Sequence, residues 1–142
     1  MVEFLAHSYN EEWVNPHYYP LDVRDKEWVK AVFPTGSFLI CKPQVVDTDK
    51  DYVLRVDDLA DADVKLIALG YSSSIHDNLE YDIQEDGLFA CYRKGDINLI
   101  VTDSADFYKK WVDASLLAQK LVLNNKNDRI TLFKYVLYGD LE

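Results

Sequence analysis

Hydrophobic positions along the chain follow two periods. Phe107, Trp111, Ala114, Ala118 and Leu121 recur at spacings of four, three, four and three, which predicts a helix with one buried face. Asp103 and Ser104 stand before it as candidate N-caps. A last helix is predicted over Asp128 to Tyr138, with Ile130, Phe133 and Leu137 inward and Gly139 closing it. Earlier in the chain, Leu59, Ala62, Leu66 and Leu69 predict a helix over Asp57 to Leu69, capped by Gly70. The acids of its first turns, Asp57, Asp58, Asp61 and Asp63, suit the positive end of a helix dipole. A further helix is expected over Asp22 to Val32, with Asp22 as N-cap and Val23, Trp28 and Val29 apolar, ending before Pro34 and Gly36.

Between these lie short runs of β-formers. Phe38 to Lys42, Tyr52 to Val56, Leu88 to Arg93 and Ile97 to Thr102 read as strands. The run INLIV is almost wholly apolar, as a strand covered on both faces should be, and Lys94-Gly95-Asp96 is a hairpin turn before it. Residues 71–86 are polar and read as a loop, with a strand near Leu79 to Ile83. The first 21 residues, rich in Tyr, Trp and Pro, read as an arm packed on the domain. The prediction is a single α+β domain over residues 1–142, a mixed sheet with flanking helices and two C-terminal helices.

Charge narrows the partners. The chain carries 25 Asp plus Glu against 15 Lys plus Arg, a net charge of −10, which disfavours a broad nucleic-acid surface. Cys41 and Cys91 sit in apolar runs and read as buried thiols in a reducing compartment. His7, His17 and His76 are scattered, and no C-x-x-C occurs, so zinc is not expected. The N-terminal stretch lacks a basic segment followed by an apolar one, and no apolar run approaches a membrane span. The expectation is a cytoplasmic protein without a membrane partner.

The candidate chemistry lies in TGSFLICKPQVVDTDKDYVL, residues 35–54. Gly36-Ser37 is followed, after eleven residues, by Asp49 and Asp51 at the mouth of a predicted strand. Residues i and i+2 of a strand share a face, roughly 7 Å apart. Two carboxylates at that distance repel by roughly 2 kcal/mol at an effective dielectric near 20. Either both face water or a cation stands between them. Mg²⁺ suits such a pair, since it takes one or two carboxylates and completes its shell with water and phosphate oxygens. Gly36 would let the backbone approach a phosphate, and Ser37 would add donors. Arg93, with Lys94, has two readings, a basic hairpin tip or a contact to a triphosphate; Lys42 and Arg55 have the same two.

This arrangement resembles the signature of the polymerase-β-type nucleotidyltransferase superfamily: Gly36-Ser37, then Asp49-x-Asp51 followed by apolar strand residues. Downstream, FACYRKGDINLIVTDSADFYKKW and AQKLVLNNKNDRITLFKYVLYGD are similar to the C-terminal half of small nucleotidyltransferase-like proteins of phages and their hosts. The resemblance spans about Ala31 to Asp140. It implies a minimal nucleotidyltransferase fold and a Mg²⁺-dependent transfer of a nucleoside monophosphate from an NTP to an acceptor hydroxyl, with two metals. Ser37 would then hold the β/γ-phosphates, and Asp49 and Asp51 the metals. The acceptor is left open: a small molecule, a protein side chain or an RNA end. The family's third carboxylate falls at Asn98, between Ile97 and Leu99, and Asp96 is the candidate substitute. That departure opens an alternative, a catalytically degenerate fold kept as a nucleotide-binding or protein-interaction module.

Overall fold

The computed structural model describes residues 21–24, 26–41, 49–73 and 89–139. Residues 1–20 of the N-terminal arm, Lys42, the strand expected near Leu79 to Ile83 and all three histidines lie outside the described residues. Among the described residues five strands form one mixed sheet: β1 (Val29–Thr35), β2 (Lys50–Val56), β3 (Ser72–Ser73), β4 (Ala90–Lys94) and β5 (Ile97–Thr102), in the order β1-β2-β5-β4-β3. β2 and β5 run parallel; every other neighbouring pair is antiparallel. Among the described residues five helices accompany them: α1 (Leu21–Arg24), α2 (Gly36–Ile40), α3 (Leu59–Ala68), α4 (Ala105–Lys120) and α5 (Lys126–Tyr138). The molecule is thus α+β with a five-stranded mixed sheet.

The sheet is covered on both sides. On one face, Val53, Cys91 and Ile100 pack with Leu39 and Ile40 of α2, Phe107, Trp111 and Ala114 of α4, and Phe133 and Leu137 of α5. On the other, Tyr52, Leu54, Leu99 and Val101 meet Ala62 and Leu66 of α3, with Val23 of α1 and Tyr71. β5 lies in the middle with both its faces buried, which is why its sequence does not alternate. Among the described residues no helix is long and apolar enough to cross a membrane.

Two expected elements are corrected. The helix predicted over Asp22 to Val32 is only the four residues of α1, and Val29 begins β1. Pairing of β1 with β2 takes these β-branched residues into the sheet, a tertiary preference that outweighs a weak helical spacing. Pro34 is tolerated because β1 is an edge strand. The strand predicted over Phe38 to Lys42 is instead the short helix α2. Gly36, at φ +71°, swings the chain out of β1, and the Cys41 N–H closes the helical turn on the Ser37 carbonyl at 3.1 Å. A local β-rich run does not report that turn.

The later helices lie close to their predicted positions, with caps that explain their ends. The Asp58 carboxylate accepts from the Asp61 N–H at the start of α3, and the Ser104 hydroxyl accepts from the Phe107 N–H at the start of α4. The other acids of α3 also have partners: Asp57 pairs with Lys30, Asp61 with Lys65, and Asp63 accepts from the Tyr92 hydroxyl at 2.6 Å. α5 starts at Lys126, capped by Asn125, two residues before the expected Asp128. Its inward positions are Arg129, Phe133 and Leu137, while Ile130 is half-buried. Leu121, expected inward on α4, is instead the exposed C-cap.

Candidate functional site

Register brings the candidate residues into one transverse row. Thr35 pairs with Asp51, Asp51 with Asn98, Asn98 with Arg93 and Arg93 with Ser72, so one residue from each strand aligns across the sheet. Directly paired residues share a face, here the face covered by α2, α4 and α5. The parallel β2–β5 pairing sets Asn98 beside Asp51 although 47 positions separate them.

Gly36 ends β1 beside this row. A β-carbon at Gly36 would collide with the carboxylate of Asp51, and its left-handed φ disfavours any side chain there. The glycine therefore does two things: it turns the chain and it leaves room for Asp51. Ser37 follows in the first turn of α2.

The turn is held by a buried polar knot. Thr35 Oγ1 accepts from Trp111 Nε1 at 2.9 Å and shares a hydrogen bond with Ser115 Oγ at 2.7 Å. The Ser115 hydroxyl also lies 2.8 Å from the Trp111 carbonyl. Gln119 Nε2 donates to the Leu39 carbonyl, tying α2 to α4. These bonds fix the end of β1 and the start of α2, hence the backbone at Gly36.

The electrostatics centre on Asp51. Burial pushes its carboxyl up to about 6; the bond from Asn98 Nδ2, at 3.2 Å, and the charges of Arg93 and Lys126 oppose that rise, while Asp49 adds to it. Asp49, just before β2, has its own partner: Arg93 Nη1 donates to its carboxylate at 2.9 Å. Asn98 is 4% exposed and its Oδ1 has no hydrogen-bond partner among the described residues.

Asp96 does not join this group. It sits in the β4–β5 turn and pairs with Lys50 at 3.4 Å, while its carbonyl accepts from the Lys50 N–H. Lys50 alternates with Asp49 and Asp51 along the chain and points to the other side. Thus Gly36, Asp49, Asp51, Asn98 and Arg93 come together with Ser37 beside them, and Asp96 is held by Lys50.

Two further cations lie near this group. Lys126 opens α5 close enough for its charge to act on Asp51. Arg129, 9% exposed, lines a small cavity of about 30 Å³ with Thr35, Gly36, Asp51, Trp111 and Phe133. Its Nη1 donates to the carbonyls of Leu123 and Asn124 and so fastens the α4–α5 turn. Starting the last helix at an Asn125 cap would have set Lys126 and Arg129 three apart on one face. Nothing in local sequence announces the Thr35–Trp111–Ser115 knot, since its members are 76 and 80 positions apart.

As a cation site, the pair offers oxygen donors only: an exposed carboxylate at Asp49, a partly buried one at Asp51 and the unpartnered amide oxygen of Asn98. That set fits a hard cation such as Mg²⁺. Among the described residues no cluster of three or more His, Cys, Asp or Glu is placed to hold a metal. The chain matches no family model, no curated protein and no solved structure.

Proposed function

We propose that this chain is a Mg²⁺-dependent nucleotidyltransferase that moves a nucleoside monophosphate from an NTP to an acceptor hydroxyl. The observation that carries the reading is the fit between Gly36 and Asp51, the carboxylate lying where a side chain at Gly36 would have to go. It couples the glycine turn to the carboxylate pair, as a site that receives phosphate and metal together requires. Further support comes from the order of parts: the Gly-Ser step directly after β1, the Asp49-x-Asp51 pair at the start of β2 and a third polar position at Asn98 on β5, the neighbour of β2. The minimal nucleotidyltransferase fold belongs to this proposal.

In this reading Asp49 and Asp51 hold the cation, Ser37 donates to the β/γ-phosphates, and Gly36 makes room for the Asp51 carboxylate beside them. Bound Mg²⁺ would supply charge neutralisation on the phosphate oxygens. The acceptor oxygen bonds to the α-phosphorus as the bond to pyrophosphate breaks, and the hydroxyl proton passes to solvent water. Acceptors of three kinds fit: a small molecule, a protein side chain or an RNA end.

One observation favours a second reading, binding without transfer. Asn98 presents an amide in line with Asp51, and an amide cannot take a proton from an attacking hydroxyl. Asp96, the possible replacement, is turned to Lys50. Calorimetric titration of each NTP with Mg²⁺ tests both readings together. Micromolar binding that disappears in Asp49→Ala/Asp51→Ala supports them; no binding of any NTP by folded protein rejects them. Pyrophosphate release on adding acceptors then separates the two, since a pure binding module releases none.

A further inference from the structure

We infer that Arg93 makes this site selective for a metal-bound polyphosphate over the free metal, by occupying Asp49 until phosphate arrives. The inference rests on the proposed metal–nucleotide site. Three observations carry it. Arg93 Nη1 donates to Asp49 Oδ2 at 2.9 Å, so the guanidinium occupies one of the oxygens a cation would need. Arg93 pairs in register with Asn98, and Asn98 with Asp51, which puts it two strands, roughly 10 Å, from Asp51 on the same face. The contact is also superficial, with the Asp49 and Arg93 side chains 52% and 35% exposed, where an ion pair is weak.

A divalent ion arriving alone must displace Arg93 from Asp49 and then sit beside a displaced positive charge. The two penalties weaken binding of free metal. A metal carrying phosphate brings its own answer: the released guanidinium finds phosphate oxygens within reach, and its planar fork suits them. The same side chain thus opposes the bare cation and favours the loaded one. Metal and polyphosphate then bind cooperatively, each raising affinity for the other. Arg93 acts here as a ligand-binding residue and an internal counter-ion; it is given no part in bond making.

The test compares wild type with Arg93→Gln, using Mn²⁺ alone and preformed Mg²⁺–tripolyphosphate as probes in calorimetry, with thermal unfolding confirming that the variant is folded. Removing the guanidinium should tighten Mn²⁺ alone about two- to fivefold, the factor an exposed ion pair is worth. It should weaken the tripolyphosphate complex about tenfold, as loss of a charge-assisted contact does. Arg93→Lys, which keeps the charge and loses the fork, should fall between on both. Changes in the same direction for both probes, or no change in either, overturn the inference and leave the metal site standing. If wild-type protein binds neither probe, and Asp49→Ala alters nothing, the metal site itself fails and the inference with it.

Discussion

At Asp51, burial and the charge of Asp49 push the carboxyl up to about 6, and one amide bond with nearby cations does not offset them. In an unfolded chain the same group titrates near its ordinary value of 3.8. Between those pH values the folded state binds more protons than the unfolded, so stability falls as pH rises through the window. The ionised group therefore costs on the order of 3 kcal/mol above pH 6. Asp51→Asn is predicted to raise unfolding free energy by about that amount at pH 8, with the gain shrinking to nearly nothing at pH 4. Urea unfolding at the two pH values checks it; an equal gain at both would show that ionisation is not the cause. Thr35 makes the opposite case, a polar group fully satisfied. Thr35→Val keeps the shape, removes the acceptor used by Trp111 Nε1, and is predicted to cost about 1–3 kcal/mol in urea unfolding.

At the scale of elements, α4 ends in strain. Val122 has φ +55° and follows the C-cap Leu121. Its N–H bonds to the Gln119 carbonyl and the Leu123 N–H to that of Ala118, the pattern of a helix end that ordinarily places glycine where Val122 stands. A β-branched side chain there carries a steric penalty of about 1–2 kcal/mol. Val122→Gly should therefore raise stability by roughly 1 kcal/mol once glycine's extra chain entropy is counted, read as a higher melting temperature; a lower one would mean the valine side chain makes contacts that outweigh the strain.

The same contrast between local and distant causes explains what could be read from the sequence. β5, α3, α4 and α5 were legible because their burial pattern is written in consecutive residues with local caps at Asp58, Ser104 and Gly139. β1 and α2 were not, because Val29 to Val32 become a strand only by pairing with β2, and the β-rich run after Gly36 becomes a helix only because the glycine redirects it. Of the candidate site, Gly36, Ser37, Asp49, Asp51, Asn98 and Arg93 are the residues that spacing and resemblance single out. That Arg93 pairs with Asp49, and that Asp96 turns to Lys50, depends on the order of strands in the sheet.

For the whole molecule, charge is distributed unevenly. The chain is at −10 overall, yet Arg93 and Lys126 both act on Asp51, and Arg129 lines the cavity beside it. Among the described residues, the acids at and within α3 form a second concentration of carboxylates on the opposite side of the sheet, each engaged in a cap, an ion pair or a tyrosine bond. A metal–nucleotide site beside Gly36 requires a divalent cation with a triphosphate to choose the first group and leave the second alone. Paramagnetic broadening of backbone amide signals by substoichiometric Mn²⁺, added with each NTP in turn, reads that choice directly. The signals of Gly36, Ser37, Asp49, Asp51 and Asn98 should broaden first with at least one NTP, and should be spared in Asp49→Ala/Asp51→Ala. Broadening centred on Asp57 to Asp63, or none near Gly36 with any NTP, would contradict a metal–nucleotide site on this face.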